Sequence, residues 1–215
     1  MADMAERFTE LWTRCAGGNA PNPDIWATIE TRYTESHRHY HDLGHLAECL
    51  KELDAAGDAI AERDATEMAI WFHDIIYEYA AKDNEDRSAD TFREFANGGM
   101  DGKFVDRVYD FILATKHTGN APDQGTAYLV DIDLSGFGLP WEGYLADSDA
   151  LRLEAPAVSD EQYYAGKLRF LDSLLEWPSL FQTDYFRDRL EAQAKENIRR
   201  YSADLRAQGF GKEAG

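Results

Sequence analysis

Two short stretches decide how this chain is read: His37-Arg38-His39-Tyr40-His41-Asp42-Leu43-Gly44-His45 and Trp71-Phe72-His73-Asp74. Five of the six histidines among 215 residues lie in them, and the sixth, His117, follows Ala114-Thr115-Lys116. Imidazole and carboxylate together suit borderline divalent metals, so the grouping points to a metal site. Both stretches are embedded in segments whose apolar residues recur at the helical period, and alternating strand patterns are missing except for weak short runs. The expected fold is therefore all-α.

Working outward, an amphipathic helix and no signal peptide is expected in Met1 to Gly18, from the spacing of Phe8, Leu11, Trp12 and Cys15. Asn22-Pro23 reads as a cap and first-turn proline before Ile25, Trp26, Ile29 and Tyr33, with an irregular connection from Thr34 to Tyr40. The next helix carries Leu43, Leu46, Leu50 and Leu53 and stops near Gly57. A third is expected from about Asp58 to Tyr79, with the His-Asp doublet in its last turns. Asp83 or Asn84 caps a fourth that ends at Gly98-Gly99, and a fifth starts near Asp101. Gly125 to Ser135 forms a sixth, terminated by Gly136-Phe137-Gly138 and Pro140. Helices near Trp141 to Leu153, from the capping box at Ser159 and Gln162 through Leu175, and after Thr183 complete the chain. No linker or composition break appears, so residues 1–215 are expected to form one domain. Its metal-site core spans about 32–138, and a C-terminal helical extension spans about 140–210.

The formal net charge of -19 repels polyanions, which argues against nucleic-acid polymers and anionic membranes as partners. A metal and a few arginines can reverse the field locally, so a small phosphorylated ligand is still allowed. No apolar run approaches membrane-spanning length. Cys15 and Cys49 lack zinc or redox spacing, which fits a reduced cytoplasmic setting without structural disulfides.

His41 and His45 are four apart, so if both are helical they share a face, and His37 can extend the row. His45, His73, Asp74 and a carboxylate from Asp131 or Asp133 supply two imidazoles and two carboxylates. Such a set leaves positions open for water, the arrangement a hydrolytic metal requires. His41 is then placed to protonate a leaving group, and Glu85 or Glu78 to manage the water. Arg32, Arg38 and Lys116 are the basic residues closest in sequence to the histidine segments, and a guanidinium can bind phosphate oxygens bidentately. Asn84-Glu85 reads either as a helix start or as part of the pocket, and His117 either as a substrate contact or as a dipole partner at a helix end. His37 and His39 read as solvated loop residues, Arg152 and Glu154 as a surface pair, and Tyr163, Tyr164, Phe170, Trp177 and Phe181 as core or dimer contacts.

The ordered set Tyr40-His41-x-x-x-His45, Trp71-Phe72-His73-Asp74 and Asp131-Ile132-Asp133-Leu134 resembles the HD-domain superfamily of metal-dependent phosphohydrolases. With Arg38, Tyr77, Asn84-Glu85, Ser88-Ala89, Thr115-x-His117 and Gly138 added, it is similar to an uncharacterised bacterial group of predicted HD phosphohydrolases. The resemblance implies an HD-domain, PDEase-like helical bundle in which His45, His73, Asp74 and Asp133, rather than Asp131, hold a divalent ion (Mn, Fe, Co, Ni, Zn or Mg). It implies His41 as the acid, while Ile75-Ile76-Tyr77-Glu78 after the doublet departs from the cyclic-nucleotide phosphodiesterase pattern, so no such substrate is implied. The expected activity is hydrolysis of a small phosphate ester or nucleotide through metal-activated water, with Asp74, His41 and Glu85 as the catalytic set. Arg32, Arg38, Asn84, Lys116 and His117 are the substrate contacts, and a homodimer is the only protein partner considered. Two other readings compete: an HD-fold di-iron oxygenase with His117 and His37 as extra ligands, and a catalytically silent nucleotide-binding module.

Overall fold

The computed structural model describes residues 2–211, and among them the secondary structure is entirely helical, with ten α-helices, two 3₁₀ turns and no strand. The elements are α1 (Ala2–Cys15), α2 (Pro23–Tyr33), α3 (Leu43–Ala56), α4 (Arg63–Phe72), α5 (Asn84–Ala96), α6 (Gly102–Ala114), α7 (Gln124–Asp133), α8 (Trp141–Leu153), α9 (Asp160–Glu176) and α10 (Asp184–Ala207). The 3₁₀ turns are Gly57–Ala59 and Leu134–Gly138. No helix is long and apolar enough to cross a membrane. The chain divides into two compact units, Met1–Ile132 and Asp133–Gly215, so the last residue of α7 is the first of the second unit.

In the first unit α4 is the central element, contacted by α1, α3, α5 and α6. Every residue from Ala65 to Phe72 is buried, so this helix is enclosed on all sides rather than packed along one stripe. Phe8 of α1 sits fully buried among Trp12, Trp26, Trp71 and Phe72, with ring centroids 5.7 to 6.2 Å apart, inside the range at which aromatic pairs attract beyond simple burial. At the exposed end of α4, Arg107 of α6 bridges Glu62 and Asp123, and its guanidinium holds the Asp123 carboxyl far below the usual range.

α4 is much shorter than the span of about Asp58 to Tyr79 that its periodicity suggests. Its start is delayed because Gly57 adopts φ +53°, a left-handed conformation that terminates α3, and the 3₁₀ turn and extended Ile60 follow. Its end comes at Phe72 because side chains from elsewhere take the backbone groups of residues 74–78, as described below. His41 also departs from expectation. It precedes Asp42, whose carboxylate caps α3 by accepting from the amides of Gly44 and His45, so His41 and His45 do not share a helical face.

Within the second unit, α10 packs against α9, α8 and the turn Leu134–Gly138. A Cβ on Gly138 would lie 2.6 Å from the Leu190 Cβ, so the approach of turn to helix needs a glycine there. Asn197 fixes the same turn by donating its amide to the carbonyls of Phe137 and Leu139. Ser159 and Thr183 cap α9 and α10 through their hydroxyls, as their positions in the sequence suggest.

Lys167 of α9 is half-buried, its ammonium 5.8 Å from the centre of the Phe170 ring, and burial pushes its pKa down to about 8. An unfolded lysine titrates near 10.4. Between those values the unfolded state binds the extra proton, so the group's contribution favours folding more as pH rises and is at its worst below pH 8. Lys167→Met is therefore expected to raise the urea midpoint most below pH 8, with the gain shrinking towards pH 10.5; a gain independent of pH over that interval would contradict this account.

Candidate metal centre

His73 is the C-cap of α4 and is 1% exposed. Its Nδ1 lies 2.8 Å from the carbonyl oxygen of Ile70. A carbonyl only accepts, so Nδ1 carries the proton and Nε2 presents a lone pair on the opposite side of the ring. That lone pair faces the Nε2 of His45 at 3.2 Å and the Oδ2 of Asp74 at 3.0 Å, while His45 Nε2 and Asp74 Oδ2 are 3.8 Å apart. The His73 lone pair and a carboxylate oxygen this close repel unless a cation, proton or metal, is shared between them. Donors about 2.1 Å from a common ion sit roughly 3.0 Å apart at right angles and roughly 3.4 Å apart at tetrahedral angles. The three separations bracket those values, so the donor set and its spacing fit a divalent ion. The Ile70 carbonyl fixes the His73 ring from behind, as the outer partners of metal-binding histidines do.

Three elements hold these donors. α3 supplies His45, with its ring 9% exposed and flanked by Tyr40 at 4.9 Å. Cys49, one turn further on, places Sγ 3.7 Å from His45 Nε2 and 3.9 Å from Nδ1, against the side of the imidazole rather than along either lone pair. From α2 comes the buried Tyr33, whose hydroxyl accepts from the amide of Asp74; burial first, and the Asp74 charge second, hold that phenol well above its ordinary pKa and keep it neutral. The third is the segment after α4, where side chains partner most of the backbone groups. Ser88 accepts from the amide of Ile76, and Asn84 accepts from the amide of Glu78 while donating to its carbonyl. Arg38 donates to the carbonyls of His41, Asp74 and Ile75.

Several expected site residues therefore have different work. The Arg38 guanidinium has no exposed surface and is directed at main-chain oxygens and Glu35, so it is not available to bind phosphate. Asn84 is likewise committed to Glu78. Glu78 is exposed and paired with Arg87, which lowers its pKa; Arg32 pairs with Glu35, and Lys116 pairs with Asp86 at 2.6 Å. His41 is stacked on Tyr77, with centroids 4.0 Å apart and planes at 24°, and its ring centre is 6.0 Å from that of His45. His37 is exposed and contacts the Tyr77 carbonyl through Nε2 at 3.2 Å; His39 is exposed too. Glu85 lies half-buried in the first turn of α5. His117 follows the end of α6 with φ +52°, and Asp133 is half-buried at the end of α7 while Asp131 is fully buried within it.

The fold adds two neighbours to the centre, Tyr33 and Cys49. Cys49 was readable from its position four residues after His45 in a helix. Tyr33 was readable only as the end of the apolar row Ile25, Ile29, Tyr33, which gives no hint that its hydroxyl is used. No family model matches the chain, and neither a curated protein nor a solved structure matches it.

Removing the Asn84 side chain takes away the partner of the Glu78 amide, a part-buried hydrogen bond worth about 0.5–1.5 kcal/mol, while the Glu78 carbonyl keeps the Ala81 amide. Asn84→Ala is expected to lower stability by an amount in that range and to speed amide exchange at Glu78 while leaving helix content unchanged. Unaltered exchange at Glu78 would assign Asn84 no such role.

Proposed function

We propose that the chain is a metal-dependent phosphohydrolase with an HD-domain, PDEase-like bundle, acting on a small phosphate ester or nucleotide. The observation that carries this reading is the convergence of His73 Nε2, His45 Nε2 and Asp74 Oδ2 at coordination spacing, with the His73 ring oriented by a carbonyl behind it. Asp133 is the proposed fourth ligand. A bound divalent ion supplies Lewis acidity, lowering the pKa of water and polarising a phosphoryl oxygen.

The chain's own groups divide the remaining tasks. His41, held flat against Tyr77, delivers a proton to the departing oxygen. Glu78 is engaged by Arg87 at the surface, which leaves Glu85 to take the proton of the attacking water. Arg32 and Lys116 hold carboxylates in pairs that are 45% and 28% exposed on the basic side. Such pairs contribute about 0–1 kcal/mol and exchange readily for a phosphate oxygen, with His117 beside Lys116 as a further donor. The net charge of -19 is consistent with a small substrate and with no polyanionic partner. Cys15 and Cys49 are not joined in a disulfide, which accords with a reducing, cytoplasmic setting.

Protein purified without chelator is expected to contain a transition metal by elemental analysis and to hydrolyse p-nitrophenyl phosphate esters or a member of a nucleotide panel with Mn, Co, Ni or Mg added. Asp74→Ala should lose the metal and slow turnover by roughly a thousandfold, equivalent to the several kcal/mol that such an ion provides. Metal-loaded protein inert on every substrate, with Asp74→Ala indistinguishable from it, would refute hydrolysis; two irons per chain with consumption of dioxygen would assign the oxygenase reaction instead.

A further inference from the structure

Resting on the metal reading above, we infer that Arg38 is the positioning residue of the centre, a guanidinium that sets the distance between the proton donor and the ligand doublet without touching either reacting group. The residue is 5% exposed and its side chain has no exposed surface, although the guanidinium is always charged. Among the described residues one carboxylate meets it: Nε donates to Glu35 Oε2 at 3.2 Å, and the Glu35 side chain is itself 26% exposed. The other donors go to main-chain oxygens. Nη1 reaches the carbonyl of His41 at 3.0 Å and that of Asp74 at 2.6 Å, and Nη2 reaches the carbonyl of Ile75 at 3.0 Å. Above and below, the guanidinium carbon lies 5.1 Å from the Tyr33 ring centre and 5.7 Å from that of Tyr77.

Each of these contacts leads to the centre by one covalent or packing step. The Asp74 carbonyl belongs to a proposed ligand, and the Asp74 amide is held by Tyr33, so both peptide groups of that residue are fixed by groups that themselves pack together. The His41 carbonyl belongs to the proposed acid, and the His41 ring stacks on Tyr77, the second ring against the guanidinium. One nitrogen, Nη1, thus joins two segments 33 residues apart in sequence, the loop before α3 and the turn after α4. Taking a cation out of water is costly unless its donors are satisfied, and here they are satisfied chiefly by those two segments. A fork of fixed N–H directions specifies where three carbonyl oxygens sit. A lysine ammonium, a point charge on a flexible stem, cannot do so.

The test uses full-length protein and cobalt(II) chloride as probe, reading the affinity and the visible absorption of bound cobalt, with near-ultraviolet circular dichroism as the check on fold. Arg38→Lys and Arg38→Ala are expected to remain folded, to bind cobalt roughly 10- to 100-fold more weakly, as losses of outer partners of metal ligands do, and to show an altered cobalt spectrum. Guanidinium chloride, at concentrations well below denaturing, should restore affinity and spectrum in Arg38→Ala, while sodium chloride at the same concentration should not. Wild-type affinity and spectrum in both variants overturn the inference, as does a folded Arg38→Ala that guanidinium leaves unchanged. An Arg38→Lys protein that unfolds also overturns it, because the side chain then supports the whole unit rather than the centre. Unaltered protein that binds no cobalt removes the metal reading itself, which separates that failure from the others.

Discussion

Where α4 ends at Phe72, the chain stays inside the first unit, and the peptide groups of Asp74 to Glu78 lose their helical partners in a segment that is buried or half-buried as far as Tyr77. A buried peptide group left unpaired costs about 1–3 kcal/mol, so such backbone needs replacements. Most of them come from five side chains on other segments: Tyr33, His37, Arg38, Asn84 and Ser88. Because each partner is directional, the turn has one conformation, and that conformation aims Asp74 Oδ2 at His73 Nε2. The candidate centre is in this sense a by-product of stopping a helix early in a dry place and satisfying what is left over.

The same constraint explains why a strongly acidic chain can carry a discrete site. With a formal net charge of -19, divalent cations gather loosely over the whole surface, and any exposed carboxylate pair attracts them. Burial distinguishes this centre from that background. His73 and His45 are 1% and 9% exposed, so the centre offers nitrogen donors in fixed, buried positions, which surface carboxylates do not.

Most of the helices were legible in the sequence because their punctuation is local. Asn22, Asp101, Ser159 and Thr183 cap the helices that follow them, each through its own side chain, and Gly57 ends α3 with a positive φ that its identity advertises. His45, His73 and Asp74, which the fold brings to coordination spacing, stand out in the sequence as residue types able to bind a metal. What could not be read was anything decided by a distant side chain. The apolar run through Ile75, Ile76 and Tyr77 has a helical period, and only the presence of Asn84, Ser88 and Arg38 in space diverts it from a helix. Arg38 and Asn84 have the charge and polarity that suit a phosphate, but in the fold those properties serve carbonyls and amides instead.

The two aspartates of α7 are separated by the geometry of the helix itself. Residues two apart are about 200° apart around a helix axis, so Asp131 and Asp133 face nearly opposite sides and cannot both serve one ion. Asp131 is fully buried, and a carboxylate in that position needs its oxygens satisfied by hydrogen-bonding partners within the fold, which suits a group that steadies a neighbour. Asp133 keeps partial exposure at the end of the helix. A hydrolytic ion exchanges water and substrate at its open positions, so the ligand nearest that exchange must tolerate solvent. Asp131 and Asp133 therefore differ in the one property that bears on such exchange, their access to solvent.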